Sequence, residues 1–170
     1  VTSNPSHHPA VLEYLERNNC LFAFQNRLAN IRYSPADDRV LFYTNSGQGA
    51  IGRHLGSAVP KWLSYGDTSG ILKVGDYPNG VIVEDAASAC AISPVATGIA
   101  LLGTNLRDVN VSSLRKFDHI HICLDPDATR KALWMQKHLA YYVSCDIVRV
   151  DDDLKYFSPE EIGKLVLNNK

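Results

Sequence analysis

Residues 119–127 read His-Ile-His-Ile-Cys-Leu-Asp-Pro-Asp, and this stretch indicates the fold more strongly than any other part of the chain. It begins with a mostly apolar run that predicts a strand ending at Leu124. Asp125 and Asp127 follow the strand directly. The segment 128–140 then carries apolar residues at helical spacing, so we expect a helix there. A strand that passes through an acidic turn into a helix is typical of an α/β sheet.

The same alternation of strand and helix continues on both sides of this stretch. Strands are predicted at 81–83, 98–102 and 147–150, and helices at 86–92, 111–117 and 159–167, the last with Ser158 as its N-cap. Alternation of this kind predicts a mainly parallel sheet with helices on its faces. In such sheets, ligands bind beyond the carboxyl ends of the strands.

The first 79 residues have a different pattern. A short helix is predicted at 9–18, and strands are predicted at 39–44 and 50–55, joined by a hairpin-like turn at 45–49. We therefore expect a small, basic α+β subdomain at 1–79, followed by an α/β domain at 80–170.

The charge balance of the 170-residue chain is nearly neutral, with 17 basic and 18 acidic residues. A strong nucleic-acid binder usually has a basic excess, so any such binding would require a local basic patch. No apolar run approaches the roughly 20 residues that cross a bilayer, and the N-terminus shows no signal-peptide pattern. We therefore expect a soluble, cytoplasmic protein without a membrane partner.

Acids at the ends of predicted strands form the main candidate site. Glu84 directly follows strand 81–83, and Asp125 and Asp127 follow the strand described first. If the two strands are adjacent and parallel, the three carboxylates meet at one sheet edge and repel each other unless a divalent cation binds. Ligands that are all oxygen favour Mg²⁺ or Mn²⁺. In the alternative interpretation, Asp127 caps the following helix and the other two acids form surface ion pairs.

The histidines and cysteines indicate less. His119 and His121 share one face of their strand, and we interpret them as core or interface residues rather than metal ligands. The four cysteines form no Cys-x-x-Cys pair, so no zinc-finger site is expected.

The acidic motifs resemble those of the Toprim domain, which bacterial-type primases, topoisomerases, recombination proteins and some nucleases share. The resemblance covers residues 81–165 and rests on Val81-Ile-Val-Glu84, the small residues 86–91, Leu102-Gly-Thr104, and Ile120-His-Ile-Cys-Leu-Asp-Pro-Asp127. It implies that Glu84 acts in acid–base chemistry or on the metal. It also implies that Asp125 and Asp127 hold magnesium.

The chain departs from the primase pattern at three places. Asp85 stands where primases usually have glycine, and Ser88 stands where they have a further acid. The glycine that is common shortly after the Asp-x-Asp motif is replaced by Thr129-Arg130. The acids Asp151-Asp152-Asp153 lie near the family's third acidic motif but out of register with it.

An ordered set of motifs before the Toprim region resembles the RNA-polymerase core of primases in its short phage form. The set consists of Asn26-Arg27-Leu28, Tyr33-Ser-Pro35, Gly49-Ala-Ile-Gly-Arg53, Pro60-Lys61-Trp62-Leu63 and Lys73. The resemblance implies that Arg27, Arg53 and Lys61 contact phosphate, with Lys73 as a further basic residue before Glu84. Trp62 or Tyr65 would stack on a base. The alternative is that the cations are solvated surface charges and that Trp62 packs in the core.

The function implied by both resemblances is that of a DNA primase catalytic core. Such a core synthesises short RNA primers from nucleoside triphosphates on a single-stranded DNA template, with Mg²⁺ or Mn²⁺ as cofactor and a replicative helicase as a further partner. A Toprim-type nuclease and a non-catalytic nucleic-acid-binding module with a degenerate Toprim fold are the alternatives. The chain is too short for the strand-gate domain of a topoisomerase.

Overall fold

The computed structural model describes residues 1–102, 106 and 111–167. The elements of the N-terminal part are two helices and four strands: α1 (Pro9–Arg17), α2 (Leu21–Gln25), β1 (Ile31–Ser34), β2 (Arg39–Tyr43), β3 (Gly49–His54) and β4 (Trp62–Gly66). The later elements are β5 (Leu72–Val74), β6 (Asn79–Val83), α3 (Ala86–Ile92), β7 (Thr97–Ala100), β8 (His119–Ile122), α4 (Thr129–Leu139), β9 (Cys145–Ile147) and α5 (Pro159–Leu167). Short 3-10 helices lie at Pro5–His7, Val111–Ser113 and Leu154–Tyr156.

Strands β1 to β4 form an antiparallel sheet in sequence order. The predicted helix at 9–18 and the predicted hairpin of β2 and β3 are both present. Strand β4 was not predicted, because most of its residues are exposed and a strand without an apolar run has no period to detect.

The second sheet has the strand order β5-β7-β6-β8-β9. Strands β7, β6, β8 and β9 are mutually parallel, and β5 is antiparallel to β7 at one edge. The expected mainly parallel sheet flanked by helices is therefore confirmed. Since β5 begins at Leu72, this sheet starts before residue 80, and the domain division at 79/80 stays a prediction.

Helices cover both faces of the parallel sheet. One core contains residues of α1, α2, α3 and α5 together with Phe42 of the first sheet and Val81 of the second, so the two sheets share it. Every residue of α3 is buried, and its small side chains let it lie close to β7. A Cβ atom on Gly98 would come within 2.1 Å of the Ala89 carbonyl oxygen, so this contact requires glycine. The opposite face packs against α4.

Three predicted elements differ from the observed ones. The strand expected at 147–150 is β9, which spans Cys145–Ile147. Val148 contributed to the apolar pattern because it is buried, but it lies just after the strand and not in its middle. The helix expected at 111–117 is only a 3-10 turn at Val111–Ser113. The strand expected at 98–102 is β7, which ends at Ala100; Gly103 and Thr104 of the quoted motif lie outside the described residues.

Two further findings bear on the surroundings of the chain. Among the described residues, no helix is long and apolar enough to span a bilayer. The four cysteines are free thiols, and three of them are buried.

Candidate active site

The carboxyl edge of the parallel sheet gathers the predicted acids. Strands β6 and β8 are adjacent and parallel, with Ile82 opposite Ile122, and the Cys123 amide donates to the Ile82 carbonyl at 2.9 Å. Glu84 leaves β6 and Asp125 leaves β8 at this same edge. The sequence predicted that these carboxylates meet if their two strands are adjacent and parallel, and the strands have that arrangement.

Asp125 lies in an environment that disfavours its charge. Its pKa is raised to about 8, first by a hydrogen bond with the Glu84 carboxyl group, then by burial, and then by repulsion from Glu84 and Asp153. Asp125 therefore keeps its proton near neutral pH unless a cation takes its place. A raised carboxyl pKa beside a second acid is typical of catalytic and metal-binding sites.

Asp153 also belongs to this cluster, although the sequence did not predict it as a site residue. It contributes to the raised pKa of Asp125 through both charge and a hydrogen bond. Three consecutive acids at 151–153 gave no indication of which one faces the site. The position is set by the 3-10 turn Leu154–Tyr156, which begins directly after Asp153 and packs against α3.

Lys155 is the buried cation of the site. Its Nζ atom lies 3.1 Å from Asp153 Oδ2 and 3.2 Å from Asp85 Oδ2, and only 6% of its side chain is exposed. Burial alone would lower the pKa of Lys155, but the two neighbouring carboxylates outweigh it and hold the pKa above its usual value. Asn19 fixes this segment from α1's side by donating to the Lys155 carbonyl at 2.8 Å.

Asp85 has a structural role at the start of α3. Its side chain caps α3 by accepting a hydrogen bond from the Ser88 amide at 2.8 Å, and its second oxygen pairs with Lys155. Ser88 itself is buried in α3. Asp85 and Ser88 thus form one local arrangement, in which a helix cap is joined to an ion pair with the buried Lys155.

Asp127 differs from the other two predicted acids. It is exposed in the turn between β8 and α4, where the Ala128 amide bonds the Asp125 carbonyl at 2.9 Å. Glu84 has a further partner on α4, because Lys131 Nζ lies 3.7 Å from Glu84 Oε1. The structure therefore brings Glu84 and Asp125 into contact, and the metal-ligand roles of Glu84, Asp125 and Asp127 all stay predictions.

Two cavities adjoin the cluster. One of about 220 Å³ lies between the ends of β8 and β9 and the start of α4, with Asp125 in its wall. The other, also of about 220 Å³, is basic, and its charged lining residues are Arg17, Arg53, Lys61 and Lys155. Lys155 thus contacts the acids and lines the cavity that holds two of the predicted phosphate contacts.

The remaining predicted binding residues lie elsewhere. Arg27 is exposed and lines a cavity of about 610 Å³ near β1. Lys73 lines a cavity of about 320 Å³, and its pKa is lowered to about 8, mainly by the neighbouring Lys116 and by burial. Trp62 packs against Phe42, with ring centroids 6.0 Å apart. Their roles as nucleic-acid or nucleotide contacts stay predictions.

A second group of side chains that could bind a metal lies on the neighbouring strands β8 and β9. His119 and His121 of β8 and Asp146 of β9 each offer one ligand atom, and these atoms lie within 4.8 Å of one another. In the part of the chain that the structure describes, this group alone meets that distance criterion. The sequence favoured a core or interface role for both histidines because they alternate with isoleucines on one strand. It did not show that Asp146 lies beside them, since that depends on the register of β9.

Comparison with known proteins gives one informative likeness. No family model matches the chain, and no curated protein matches it. A solved structure described as the DnaG primase catalytic domain bound to ssDNA is similar, with a TM-score of 0.57 and 20% sequence identity. The likeness covers 83% of this chain and 58% of that one, so the chain spans less than two thirds of its length. It confirms the predicted fold.

Proposed function

We propose that this chain is a primase-type catalytic core that synthesises short RNA primers on single-stranded DNA in a magnesium-dependent reaction. The observation that carries the proposal is the position of Lys155, which connects the carboxylates at the sheet edge with the basic cavity of Arg53 and Lys61. A nucleotidyltransferase needs both parts side by side, one for the reacting phosphate and one for the remaining phosphates. The likeness in fold to a primase catalytic domain supports the same assignment.

The acids fit a hard divalent cation. Glu84 and Asp125 offer only oxygen donors, and the raised pKa of Asp125 means that a cation could replace the proton that Asp125 holds. We assign Glu84 and Asp125 as Mg²⁺ or Mn²⁺ ligands, with Asp127 as a third ligand. When bound, the metal would neutralise charge that develops on the reacting phosphate. The charge of Asp153 is already balanced by Lys155, which favours a positioning role for Asp153.

The chain's own residues would act as follows. The primer's 3′-hydroxyl oxygen attacks the α-phosphate of the incoming triphosphate, and pyrophosphate leaves. Glu84 would position the metal or accept the hydroxyl proton. Arg53 and Lys61 bind phosphate groups from the basic cavity. The Lys155 ammonium group holds Asp153 and the α3 cap in place rather than binding substrate, because both its neighbours are carboxylates.

Further parts of the proposal concern the outer surface and the partners. Arg27 and Lys73 would contact the template backbone away from the reacting centre, and Trp62 would stack on a base through its partly exposed ring. Residues 1–79 would guide the template and residues 80–170 would carry the chemistry. The nucleoside triphosphates, a replicative helicase and a cytoplasmic, bacterial or phage setting belong to the same proposal.

The test is incubation of the chain with single-stranded DNA, labelled nucleoside triphosphates and Mg²⁺. We expect short oligoribonucleotides that disappear in Glu84→Gln and persist in the control Asp118→Asn, whose side chain is exposed before β8. Shortened DNA instead of new RNA would replace the proposal with a nuclease. Calorimetry that detects no Mg²⁺ binding would favour a non-catalytic binding module.

A further inference from the structure

Strands β8 and β9 carry a compact cluster that the proposed reaction does not use. Asp146 Oδ1 lies 2.8 Å from His119 Nε2 and 2.6 Å from His121 Nδ1. The two imidazole rings are nearly edge-to-face, with centroids 4.6 Å apart. Both imidazole nitrogens therefore face the same carboxylate oxygen, and the three atoms lie within 4.8 Å of one another.

The strand pairing fixes this arrangement. His119 and His121 alternate with buried isoleucines on β8, so both rings lie on the same face. His121 is directly opposite Asp146 in the parallel pairing of β8 with β9. The backbone ladder thus holds all three donors, and binding would require no rearrangement of the chain beyond the side chains.

We propose that His119, His121 and Asp146 form a binding site for Zn²⁺. Two imidazoles and one carboxylate are a donor set that zinc binds with bond lengths of about 2.0–2.2 Å, and the hard ion Mg²⁺ prefers oxygen alone. Tetrahedral zinc separates its ligand atoms by about 3.3 Å, so Asp146 Oδ1 would move about 0.5–0.7 Å farther from each of the two imidazole nitrogens, which lie within 4.8 Å of each other. The cation would replace the protons that the imidazoles otherwise share with Asp146.

The surroundings of His119 support this assignment. Its second ring nitrogen, Nδ1, lies 2.7 Å from Ser144 Oγ. With zinc bound at Nε2, the ring proton of His119 would lie on Nδ1 and be donated to this hydroxyl, which is the usual outer-sphere arrangement at zinc sites. His121 is almost fully buried, whereas about a third of the Asp146 side chain is exposed. An ion can therefore enter from solvent, and water can complete its coordination.

This zinc site is distinct from the carboxylate cluster. Asp125 follows His121 by four positions along the same strand direction, which corresponds to about 13 Å of extended chain. A zinc ion here would join the edge strand β9 to β8. We therefore expect Zn²⁺ to raise the melting temperature of the chain, since an ion that binds only the folded state stabilises it.

The experiment is calorimetric titration of the metal-free full chain with Zn²⁺, together with the visible absorption of the Co²⁺ form. We expect one Zn²⁺ per chain and Co²⁺ bands typical of four- or five-coordination. Asp146→Asn and His121→Gln should each weaken Zn²⁺ binding by about 100-fold or more, because a protein ligand is lost. His7→Ala, which removes an exposed imidazole near the N-terminus, is the matched control and should leave the affinity unchanged.

Several outcomes would overturn the inference. It fails if the chain binds no stoichiometric Zn²⁺, or if Asp146→Asn binds Zn²⁺ as tightly as the original chain. Loss of Zn²⁺ binding in Asp125→Asn but not in Asp146→Asn would show that the ion binds at the carboxylate cluster instead. Should His121→Gln fail to fold, Asp146→Asn decides alone, because Asp146 is about a third exposed on an edge strand and asparagine keeps its shape.

Discussion

The two ends of strand β8 differ in how they hold their ionisable residues. At the carboxyl end, Asp125 meets Glu84 and Asp153, and a buried lysine balances part of the charge. At the amino end, His119 and His121 lie within the ladder and share a single carboxylate. Acids that follow strands collect in loops and leave open positions for a substrate, whereas donors within strands form a fixed site. The first arrangement suits catalysis and the second suits a structural ion.

The largest expected difference concerns primer synthesis at the carboxyl end. Asp125→Asn should lower the rate on the order of 10³-fold, since it removes a charge that contributes several kcal/mol to binding the metal and the transition state. Asp127→Asn should cost only about tenfold, because Asp127 is exposed in the turn. Primer yield per unit time measures both, with Asp118→Asn as reference. Equal losses for the two variants would contradict the ranking.

The next effect concerns stability and depends on the buried cation. Lys155→Met should lower the free energy of unfolding by about 3 kcal/mol, because Asp85 and Asp153 would keep their charges without a partner. Urea denaturation measures the change. Lys164→Met, on the exposed side of α5, is the matched control and should stay within about 0.5 kcal/mol. If the two variants unfold alike, the ion pair does not stabilise this edge.

A smaller effect should appear at the amino end. Ser144→Ala removes the hydroxyl that orients His119, so Zn²⁺ affinity should fall about tenfold while Mg²⁺ affinity stays the same. Ser57→Ala, at an exposed loop position, serves as the control. Titration of each variant with both ions separates the two ends of β8. A parallel drop in Mg²⁺ affinity would show that the ends are not independent.

The smallest effect is the pH dependence of stability without divalent ions. The pKa of Asp125 is about 8 in the folded chain, and it has its usual value near 4 in the unfolded chain, so the folded state alone keeps the proton between these values. Stability should therefore fall as pH rises from about 4 to about 8 and then level off. After allowance for solvent screening of a half-exposed group, we expect about 1 kcal/mol.

Asp125→Asn provides the check on this pH dependence. The variant cannot titrate at this position, so the fall in stability over that pH range should largely disappear from its urea denaturation curves. Saturating Mg²⁺ should flatten the profile of the original chain in the same way, because a bound cation replaces the proton. A profile that is identical with and without Asp125 would rule out this carboxyl group as the cause.

The sequence by itself determined the alternation of strands and helices and the edge at which Glu84 and Asp125 lie. An apolar run that ends directly in an acid predicts both a buried strand and an acid at its end. The prediction works because both features depend only on neighbouring residues in the sequence. The same reasoning identified α1, α3, α5 and the capping residue Ser158, whose Oγ accepts from the Glu161 amide at 3.2 Å.

Tertiary structure alone decided which distant residues complete each site. Asp153 and Lys155 reach the carboxylates because the turn Leu154–Tyr156 packs on α3, and Asp146 meets the two histidines only through the register of β9. The separation of Lys73 from Arg53 likewise follows from their placement in different sheets. Contacts of this kind depend on how elements far apart in sequence pack together, and no local pattern of apolar and charged residues records that packing.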